Sequence, residues 1–379
     1  MTIKIPELDD LFSIYLDRGH ELRFVGGCVR DNLLGIPTND YDLATSMPAD
    51  QSLNHLTKAG FKVIPTGLSH GTITVVIDSR PYEITTLRKD VSTDGRRAIV
   101  ETTSDWAEDA LRRDFTINAL YQDWDGKIYD YTNGQEDLAN GIVRFIGDPE
   151  DRIKEDYLRI LRYFRFAQQY SKTPFPDTLS KLFNKHADRI ANLSKERITQ
   201  EFLKILDHPN VLQTLKDMQS CAVLNLILQD HTFDKLDKLQ NTQTKLRLPV
   251  NNLLNLAALS DNFPKLRLSN AQQKYINRVQ QISNEISVDN MYNFVFKEGK
   301  EITLSALLLL GDESLYRQCL EVTYKPLPIS GDDLLSMGIT PGSEMGRLLS
   351  IAADFWCQSK FTASKKDLID FVNLNILSM

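Results

Sequence analysis

Two acidic residues separated by a single residue, Asp40 and Asp42, constrain this chain most, because they follow the glycine pair Gly26-Gly27 within FVGGCVRDNLLGIPTNDYDLAT. Side chains alternate across a strand, so both carboxylates project to the same side. The glycines let backbone N–H groups approach an anion, since a Cβ there would be in the way. A glycine pair, a helix and an acidic strand together indicate a site for a metal–triphosphate complex. The other interpretation is a loop glycine pair with a solvated acidic pair.

The composition is that of an ordinary globular protein. The 379 residues are enough for two to four structural units, and the contents of hydrophobic residues (42%) and charged residues (25%) are typical. No apolar run approaches the length of a membrane span, and the N-terminus has neither a signal-peptide nor a transit pattern. The four cysteines lie far apart without a CxxC motif, which predicts neither a disulfide framework nor a zinc site. We therefore expect a cytoplasmic protein without membrane insertion.

The charge is unevenly distributed along the chain. The net charge is −7, yet residues 152–204 carry twelve Lys and Arg against six Asp and Glu, a local net charge of +6. Where charges lie matters more than their total. On this evidence alone, the basic stretch fits a solvated helical face as well as a track for RNA.

Residues 1–145 have an α/β pattern, with strands predicted to end at Val25 and to span 41–45, 62–65, 73–78 and 82–87. Residues 89–104 are polar and without a clear period, which predicts a functional or disordered loop. Past residue 145, helical patterns dominate, beginning with those at 151–170, 177–190 and 194–207. The pattern predicts an α+β fold, in which an N-terminal mixed-sheet unit precedes an all-helical remainder.

Glu83 lies on a strand that we expect beside the acidic one. Facing Asp40 and Asp42, it would complete a set of three carboxylates for Mg²⁺, a hard ion that takes oxygen ligands. A strand glutamate before a turn is also commonly just solvated. Two Mg²⁺ ions so held can activate an attacking hydroxyl and neutralise charge on a leaving pyrophosphate without a protein general base. The chemistry predicted is nucleotidyl transfer.

A second cluster is the string RRDFTINAL, which begins at Arg112. Its apolar residues Phe115, Ile117 and Leu120 would seat the segment in the core and leave Arg113 to reach into the cleft. An arginine there can hydrogen-bond phosphate oxygens or hold an acidic neighbour in place. The Arg-Arg pair alone is uninformative, whereas the whole string is specific.

The third cluster is EDYLRILRYFRF, which begins at Glu155 and is predicted to lie on the first long helix. Asp156 and Arg159 are neighbours at i,i+3, and Glu155 reaches Arg159 at i,i+4. One interpretation is a salt-bridged surface helix, which contributes under about 1 kcal/mol. The other is base recognition: Asp accepts from the amino group of cytosine or adenine, Arg donates to the ring nitrogen, and uracil and guanine are repelled. Arg162 and Arg165 follow at three-residue steps, which suits phosphate contacts.

These clusters, together with DYTNGQEDL at 130–138 and SKERI at 194–198, resemble the ordered signature motifs of class II tRNA nucleotidyltransferases. These are CCA-adding enzymes of the polymerase-β-like nucleotidyltransferase superfamily, and the resemblance covers about residues 20–207. It implies four parts: a catalytic head at 1–145, a helical neck for base recognition at 146–207, a helical body at 208–270 and a tRNA-binding helical tail at 271–379.

The resemblance also implies the roles of individual residues and the substrates. Mg²⁺ would be held by Asp40 and Asp42, and CTP, then ATP, would be added to the 3′ end of tRNA. Nucleotide contacts would come from Gly26, Gly27, Arg30, Arg113, Asp156, Arg159, Arg162 and Arg165. The tRNA acceptor and T-arm would be recognised through shape and phosphates, along the basic stretch and the helical tail. The segment LRKDVSTDGRR at 87–97 resembles the flexible loop that accompanies the switch from C to A addition in this family.

Two alternatives stay open at the level of sequence, and no particular oligomeric state is predicted. A poly(A) polymerase or A-only-adding enzyme shares the first two motifs, but such enzymes tend to be basic with a Lys/Arg-rich tail, whereas this chain is acidic. A catalytically silent RNA-binding relative has no reason to keep the close-set carboxylates of Asp40 and Asp42, which repel phosphate unless metal is bound. The six histidines form no His-Asp pair or ligand cluster, so no HD-type phosphohydrolase domain is expected.

Overall fold

The computed structural model describes residues 2–93 and 98–377 of the chain, which divides into two compact units. The first unit is Met1–Arg197 with Asp217–Val223, and the second is Ile198–Lys216 with Leu224–Met379. The boundaries predicted above for head, neck, body and tail stay predictions.

The first part of the chain alternates helices and strands. The elements are α1 (Asp9–Leu16), β1 (Leu22–Val25), α2 (Gly27–Leu33), β2 (Asp42–Thr45), α3 (Ala49–Lys58), β3 (Lys62–Gly67), β4 (Thr72–Ile77), β5 (Arg80–Thr86), β6 (Arg88–Thr93), β7 (Ala98–Thr102), α4 (Trp106–Leu111), β8 (Leu120–Gln122), β9 (Ile128–Asp130) and α5 (Gly134–Asn140). The strands predicted in this part are confirmed to within about three residues at either end. The short strands β8 and β9 were not predicted.

Seven strands form one mixed sheet in the order β3-β4-β5-β2-β1-β8-β9. Six strand pairs make the sheet, and five of them are antiparallel; β2 and β5 run parallel. The mixed sheet predicted from sequence is confirmed. The parallel pair matters most for function, because it sets Asp42 directly opposite Glu83.

One face of this sheet is covered by apolar side chains. Phe24 on β1 is paired with Leu43 on β2, which is paired in turn with Ile84 on β5, and all three are buried. The ring of Phe12 on α1 packs against Phe24 with 5.2 Å between centroids. Because side chains alternate along a strand, Asp42 projects from the opposite face.

The segment 89–104, predicted to be a loop without regular structure, is largely a two-stranded antiparallel sheet of β6 and β7, with a register shift between Asp90 and Ser92. That prediction is wrong for the described part of the segment. Valine, isoleucine and threonine are frequent in both strands and favour extended backbone, which outweighs the polar character of the segment. The Asp-Gly at 94–95 lies outside the described residues.

After residue 148, every regular element in the described part of the chain is helical, as predicted. These are α6 (Pro149–Glu155), α7 (Leu158–Tyr170), α8 (Asp177–His186), α9 (Lys195–Leu206), α10 (Val211–Ser220), α11 (Val223–Ile227), α12 (Asp234–Leu246), α13 (Asn252–Leu259), α14 (Asn270–Glu285), α15 (Met291–Glu298), α16 (Lys300–Leu310), α17 (Glu313–Glu321), α18 (Gly331–Ser336), α19 (Ser343–Gln358) and α20 (Lys365–Leu377). Within residues 2–93 and 98–377, no helix has the length and apolar character needed to cross a membrane.

The continuous helix predicted over 151–170 is wrong at Asp156. There the backbone is extended (φ −157°, ψ 106°), α6 ends at Glu155 and α7 begins at Leu158. The Asp156 carboxylate accepts the backbone N–H of Leu158 at 3.1 Å. Short acidic side chains compete for such N–H groups and therefore favour helix ends over helix interiors. The break removes Asp156 from the helix that carries Arg159.

Candidate active site

The turn from β1 into α2 is formed by the predicted glycine pair. Gly26 has φ +74°, a conformation that residues with a Cβ rarely adopt, and its N–H donates to the carbonyl of Leu120 at 2.9 Å. A Cβ on Gly26 would lie 3.7 Å from Nη1 of Arg113. The chain thus turns tightly from strand to helix, and the predicted Arg113 lies directly beside the turn.

Three carboxylates influence one another at the start of β2. Desolvation by the surrounding protein raises the pKa of Asp42 to about 6, although the residue keeps exposed surface. The negative charges of Asp40 and Glu83 raise it further, while Arg113 lowers it. Like charges close together each disfavour ionisation of the other, and a bound cation would relieve that repulsion. Carboxylate oxygens are the ligands that a hard divalent ion takes, so the chemistry of these donors suits such an ion.

The structure brings Asp42 and Glu83 into register, but it does not assemble a complete cage. Among residues 2–93 and 98–377, no group of three or more His, Cys, Asp and Glu is placed so that it could hold a metal ion. The predicted trio of Asp40, Asp42 and Glu83 is therefore present as a paired Asp42 and Glu83, with Asp40 two positions before β2.

Arg113 is held by two polar groups. Its Nη2 and Nε donate to the buried carboxylate of Asp109 at 3.0 and 3.3 Å, and Nε also donates to the hydroxyl of Tyr121 at 3.2 Å. The predicted alternatives were contact with phosphate or with an acidic neighbour, and the structure shows the acidic neighbour. Asp109 was not singled out in the sequence; its signal is an acidic residue one helical turn before Arg113.

Arg30, predicted to contact the nucleotide, lies inside the protein with 6% of its surface exposed. Its Nη1 donates to Oδ1 of Asn118 at 2.5 Å, its Nε donates to Asp31 at 2.9 Å, and its guanidinium lies 4.2 Å from the ring centroid of Tyr170. The contact with Asn118 holds α2 against the segment RRDFTINAL, residues 112–120. In this structure Arg30 supports the glycine turn from inside.

Asp156 and Arg159 each have a different ion partner. Asp156 accepts from Nη2 of Arg197 at 2.7 Å, and Arg159 pairs with Glu155, the partner predicted at i,i+4. Arg159 also donates to the carbonyl of Arg152 at 2.8 Å. The structure therefore keeps the predicted Glu155–Arg159 contact and shows Arg197, from the SKERI segment, as the partner of Asp156.

The last two predicted arginines lie further along α7. Arg162 makes an ion pair with the buried Asp114 at 2.6 Å, and Arg165 lies over the ring of Phe166 at 4.1 Å from the centroid. Burial opposes ionisation of Asp114, but Arg162 and nearby donors leave its pKa below the usual value. Asp114 also accepts from Asn118 at 3.2 Å, so it connects α7 to the segment that fixes Arg30.

Two parts of the chain match known protein families. Residues 22–144 match the family described as "Poly A polymerase head domain", and residues 176–234 match "Probable RNA and SrmB- binding site of polymerase A". The mixed sheet, the glycine turn and the paired carboxylates therefore lie in a head domain of this type. Nucleotidyltransferases with such heads generally use divalent metal ions.

Curated relatives extend the match over nearly the whole chain. The human mitochondrial CCA tRNA nucleotidyltransferase 1 is 36% identical over 98% of this chain and 93% of its own length. The CCA-adding enzyme of Levilactobacillus brevis is 32% identical over 87% of this chain and 88% of its own. The chain belongs to the family of CCA-adding tRNA nucleotidyltransferases, which confirms the resemblance inferred from the motifs.

Solved structures agree with the fold. The CCA-adding enzyme of Bacillus stearothermophilus, solved in complex with CTP, matches with a TM-score of 0.74 at 24% identity and covers 99% of both chains. The Thermotoga maritima CCA-adding enzyme, solved with tRNA, matches with a TM-score of 0.72 at 20% identity, over 98% of this chain and 96% of its own. At these identities, the two structures support the fold: an N-terminal mixed sheet followed by helices.

Proposed function

We propose that this protein adds C, C and A in turn to the 3′ end of tRNA from CTP and ATP, releasing pyrophosphate and using no nucleic-acid template. The observation that carries the proposal is the parallel pairing of β2 with β5, which sets Asp42 directly opposite Glu83. The names of the curated relatives, CCA tRNA nucleotidyltransferase and CCA-adding enzyme, support the choice of tRNA and of the added sequence.

In this proposal, Asp40, Asp42 and Glu83 hold two Mg²⁺ ions. When bound, such ions activate the attacking 3′-hydroxyl and neutralise the charge that develops on pyrophosphate. The protein contributes the carboxylate oxygens. The pKa of Asp42 is raised first by desolvation and then by the negative charges of Asp40 and Glu83, and those two charges support the role because a bound cation would offset them. At neutral pH, Asp42 is largely ionised and can act as a ligand.

The triphosphate lies at the turn between β1 and α2 in this proposal. Backbone N–H groups around Gly26 and Gly27 can approach phosphate oxygens closely, and Arg113, whose Nη1 lies beside Gly26, donates to the same group. Arg30 acts from inside the protein by holding α2 through Asn118. Arg162 and Arg165 contribute positive charge further along α7.

Asp156 and Arg159 read the base in this proposal. Oδ1 of Asp156 accepts the N–H of Leu158, and Oδ2 accepts from Arg197, yet each carboxylate oxygen can accept a second hydrogen bond. An amino group of cytosine or adenine can therefore be added without breaking either contact. A carboxylate acts only as an acceptor, which matches the donor character of that amino group.

The tRNA acceptor and T-arm bind along the basic stretch at 152–204 and the helical remainder in this proposal, with the head, neck, body and tail divided as predicted.

We also propose a cytoplasmic location. The four cysteines are buried free thiols, which supports a reducing compartment. The human relative is described as mitochondrial, so cellular fractionation tests this part of the proposal.

One assay tests the reaction directly. Purified protein is incubated with tRNAs that end at the discriminator base, at C and at CC, each with one labelled nucleotide. We expect CTP to be incorporated into the first two and ATP only into the third. Incorporation of ATP into all three would favour the poly(A) polymerase or A-only alternative. Binding of tRNA without any incorporation would favour the silent RNA-binding relative.

A further inference from the structure

Asp109 on α4 is a buried carboxylate, 1% exposed, whose two oxygens serve different neighbours. Oδ1 accepts from Nη2 of Arg112 at 2.6 Å and from the backbone N–H of Arg88 at 3.2 Å. Oδ2 accepts from the hydroxyl of Tyr121 at 2.7 Å and from Nη2 of Arg113 at 3.0 Å. One oxygen therefore faces the start of β6, and the other faces the arginine beside the glycine turn.

A carboxylate this deeply buried is tolerated only with charged partners and further hydrogen bonds. Burial acts to raise the pKa of Asp109, but Arg113 and Arg112 outweigh it and hold the pKa at about 2. Asp109 is therefore ionised at neutral pH. As an ionised acceptor it makes charge-assisted hydrogen bonds, which are stronger and more directional than neutral ones.

The three nitrogens of the Arg113 guanidinium have different surroundings. Nε and Nη2 both point to Oδ2 of Asp109, and the remaining nitrogen, Nη1, lies on the side of Gly26, 3.7 Å from the position of a Cβ there. A planar group that is held through two of its nitrogens has a fixed direction for the third. Asp109 thus sets the direction of the nitrogen that faces the turn.

The same carboxylate anchors the first residue of β6. Nε of Arg112 donates both to Oδ1 of Asp109 at 2.9 Å and to the carbonyl of Arg88 at 3.0 Å. Together with the bond from the Arg88 N–H, this fixes Arg88 on both sides of its backbone. The start of the two-stranded sheet and the orientation of Arg113 therefore depend on one group.

We propose that Asp109 is a positioning residue, which aims Nη1 of Arg113 at the triphosphate of the incoming nucleotide and ties that arginine to the start of β6. The inference rests on the proposed function, in which Arg113 contacts the triphosphate. Its effect on CTP binding passes through Arg113, and its contact with the backbone of Arg88 is a separate effect.

The test measures CTP affinity of the full chain in Mg²⁺ buffer. Asp109→Asn replaces one acceptor oxygen with an amide that repels a guanidinium, and we expect CTP affinity to fall about tenfold. Because the effect passes through Arg113, the double variant Asp109→Asn/Arg113→Ala should bind CTP no more weakly than Arg113→Ala alone. A purely structural role would instead make the two losses multiply.

Asp105→Ala is the matched control. Asp105 caps the same helix by accepting the N–H of Ala107 at 2.8 Å, so its loss weakens α4 without touching the Asp109 contacts. We expect its CTP affinity to stay within about twofold of wild type. Hydrogen exchange of the Arg88 amide should be faster than in wild type in Asp109→Asn and unchanged in Asp105→Ala.

Tyr121→Phe provides a second route if Asp109→Asn does not fold. It removes one hydrogen bond to Asp109 and one from Arg113, and it should weaken CTP binding about threefold without adding to Arg113→Ala. Three results would overturn the inference. The first is wild-type CTP binding by Asp109→Asn. The second is a multiplied loss of affinity when Asp109→Asn or Tyr121→Phe is combined with Arg113→Ala, and the third is an equal loss in Asp105→Ala. Incorporation of CTP by the wild-type protein is measured separately, and its absence would refute the proposed function instead.

Discussion

Asp42 has a pKa of about 6, which makes the stability of the metal-free protein depend on pH. The ordinary value is 3.8, so between about pH 4 and pH 6 the folded protein binds a proton that the unfolded chain has released. The free energy of unfolding therefore decreases as pH rises through this window. Above pH 6 the site carries an electrostatic cost that a bound cation would offset.

Replacing this carboxylate with a neutral isostere should remove the cost. We expect Asp42→Asn to raise the free energy of unfolding at pH 7, without divalent metal, by about 1 kcal/mol, a modest value because Asp42 lies at the exposed start of β2 and solvent screens its charge. The difference should vanish near pH 4. Urea denaturation at pH 4 and pH 7 measures the difference in free energy of unfolding. If the variant is less stable than wild type at pH 7, the pKa of Asp42 is not raised.

Removing the same side chain should stop the chemistry. We expect Asp42→Ala to abolish CTP and ATP incorporation while tRNA binding survives, because in the proposed mechanism the paired carboxylates hold the metal ions and other surfaces bind the tRNA. Single-turnover incorporation and a filter-binding assay measure the two effects. Asp10→Ala, an exposed position on α1 at the covered face of the sheet, is the control and should keep full activity. Full-rate transfer by Asp42→Ala would rule out the two-metal assignment.

Asp156 tests whether side chains select the base. In Asp156→Ala, the acceptor for the exocyclic amino group is lost, and we expect the preference for CTP and ATP over UTP and GTP to fall by about tenfold or more. Competition between labelled nucleotides at equal concentration measures the preference. If the variant still strongly prefers CTP and ATP, base selection lies with other residues.

The individual elements show what local sequence could and could not predict. The pattern of β-branched and aromatic residues identified β2, β4 and β5, since strand propensity there agrees with burial. It missed β8 and β9, which have three residues each, and it missed the break at Asp156, because apolar periodicity continues through it. The acidic strand and the glycine turn are close in sequence and were predicted. The pairing of Asp109 with Arg113 has a local signal, the i,i+4 spacing, which was not used. The ion pair of Asp156 with Arg197 depends on a tertiary contact that no local pattern encodes.

Two glycines provide a matched prediction about helices. A Cβ on Gly134, at the start of α5, would lie 2.2 Å from the carbonyl oxygen of Thr116, so Gly134→Ala should reduce the free energy of unfolding by about 1–3 kcal/mol. Gly346, inside α19, has no atom within 4 Å of such a Cβ, and Gly346→Ala should raise it by about 0.5–1 kcal/mol. Thermal denaturation of both variants and of the wild-type protein measures these changes in the free energy of unfolding. Equal shifts of the two variants would mean that the close approach at Gly134 is absent.

At the scale of the whole molecule, the chain combines an acidic total charge with a basic stretch in its middle. A net charge of −7 disfavours indiscriminate binding of nucleic acid, and we propose that the local excess of positive charge at 152–204 attracts the phosphates of tRNA. The sequence predicted the sheet, its acidic strand and the helical remainder. The division into two compact units has no sequence signal, since its boundaries fall inside the helices α9, α10 and α11, where the helical pattern is uninterrupted.

The most direct measurement supplies the purified protein with tRNA that lacks its last three nucleotides, together with all four nucleoside triphosphates, and sequences the 3′ ends of the products. A protein that selects bases with its own side chains should yield ends of CCA, stop after three additions and incorporate neither U nor G. A run of adenosines, or a mixture of all four nucleotides at the added positions, would contradict the account.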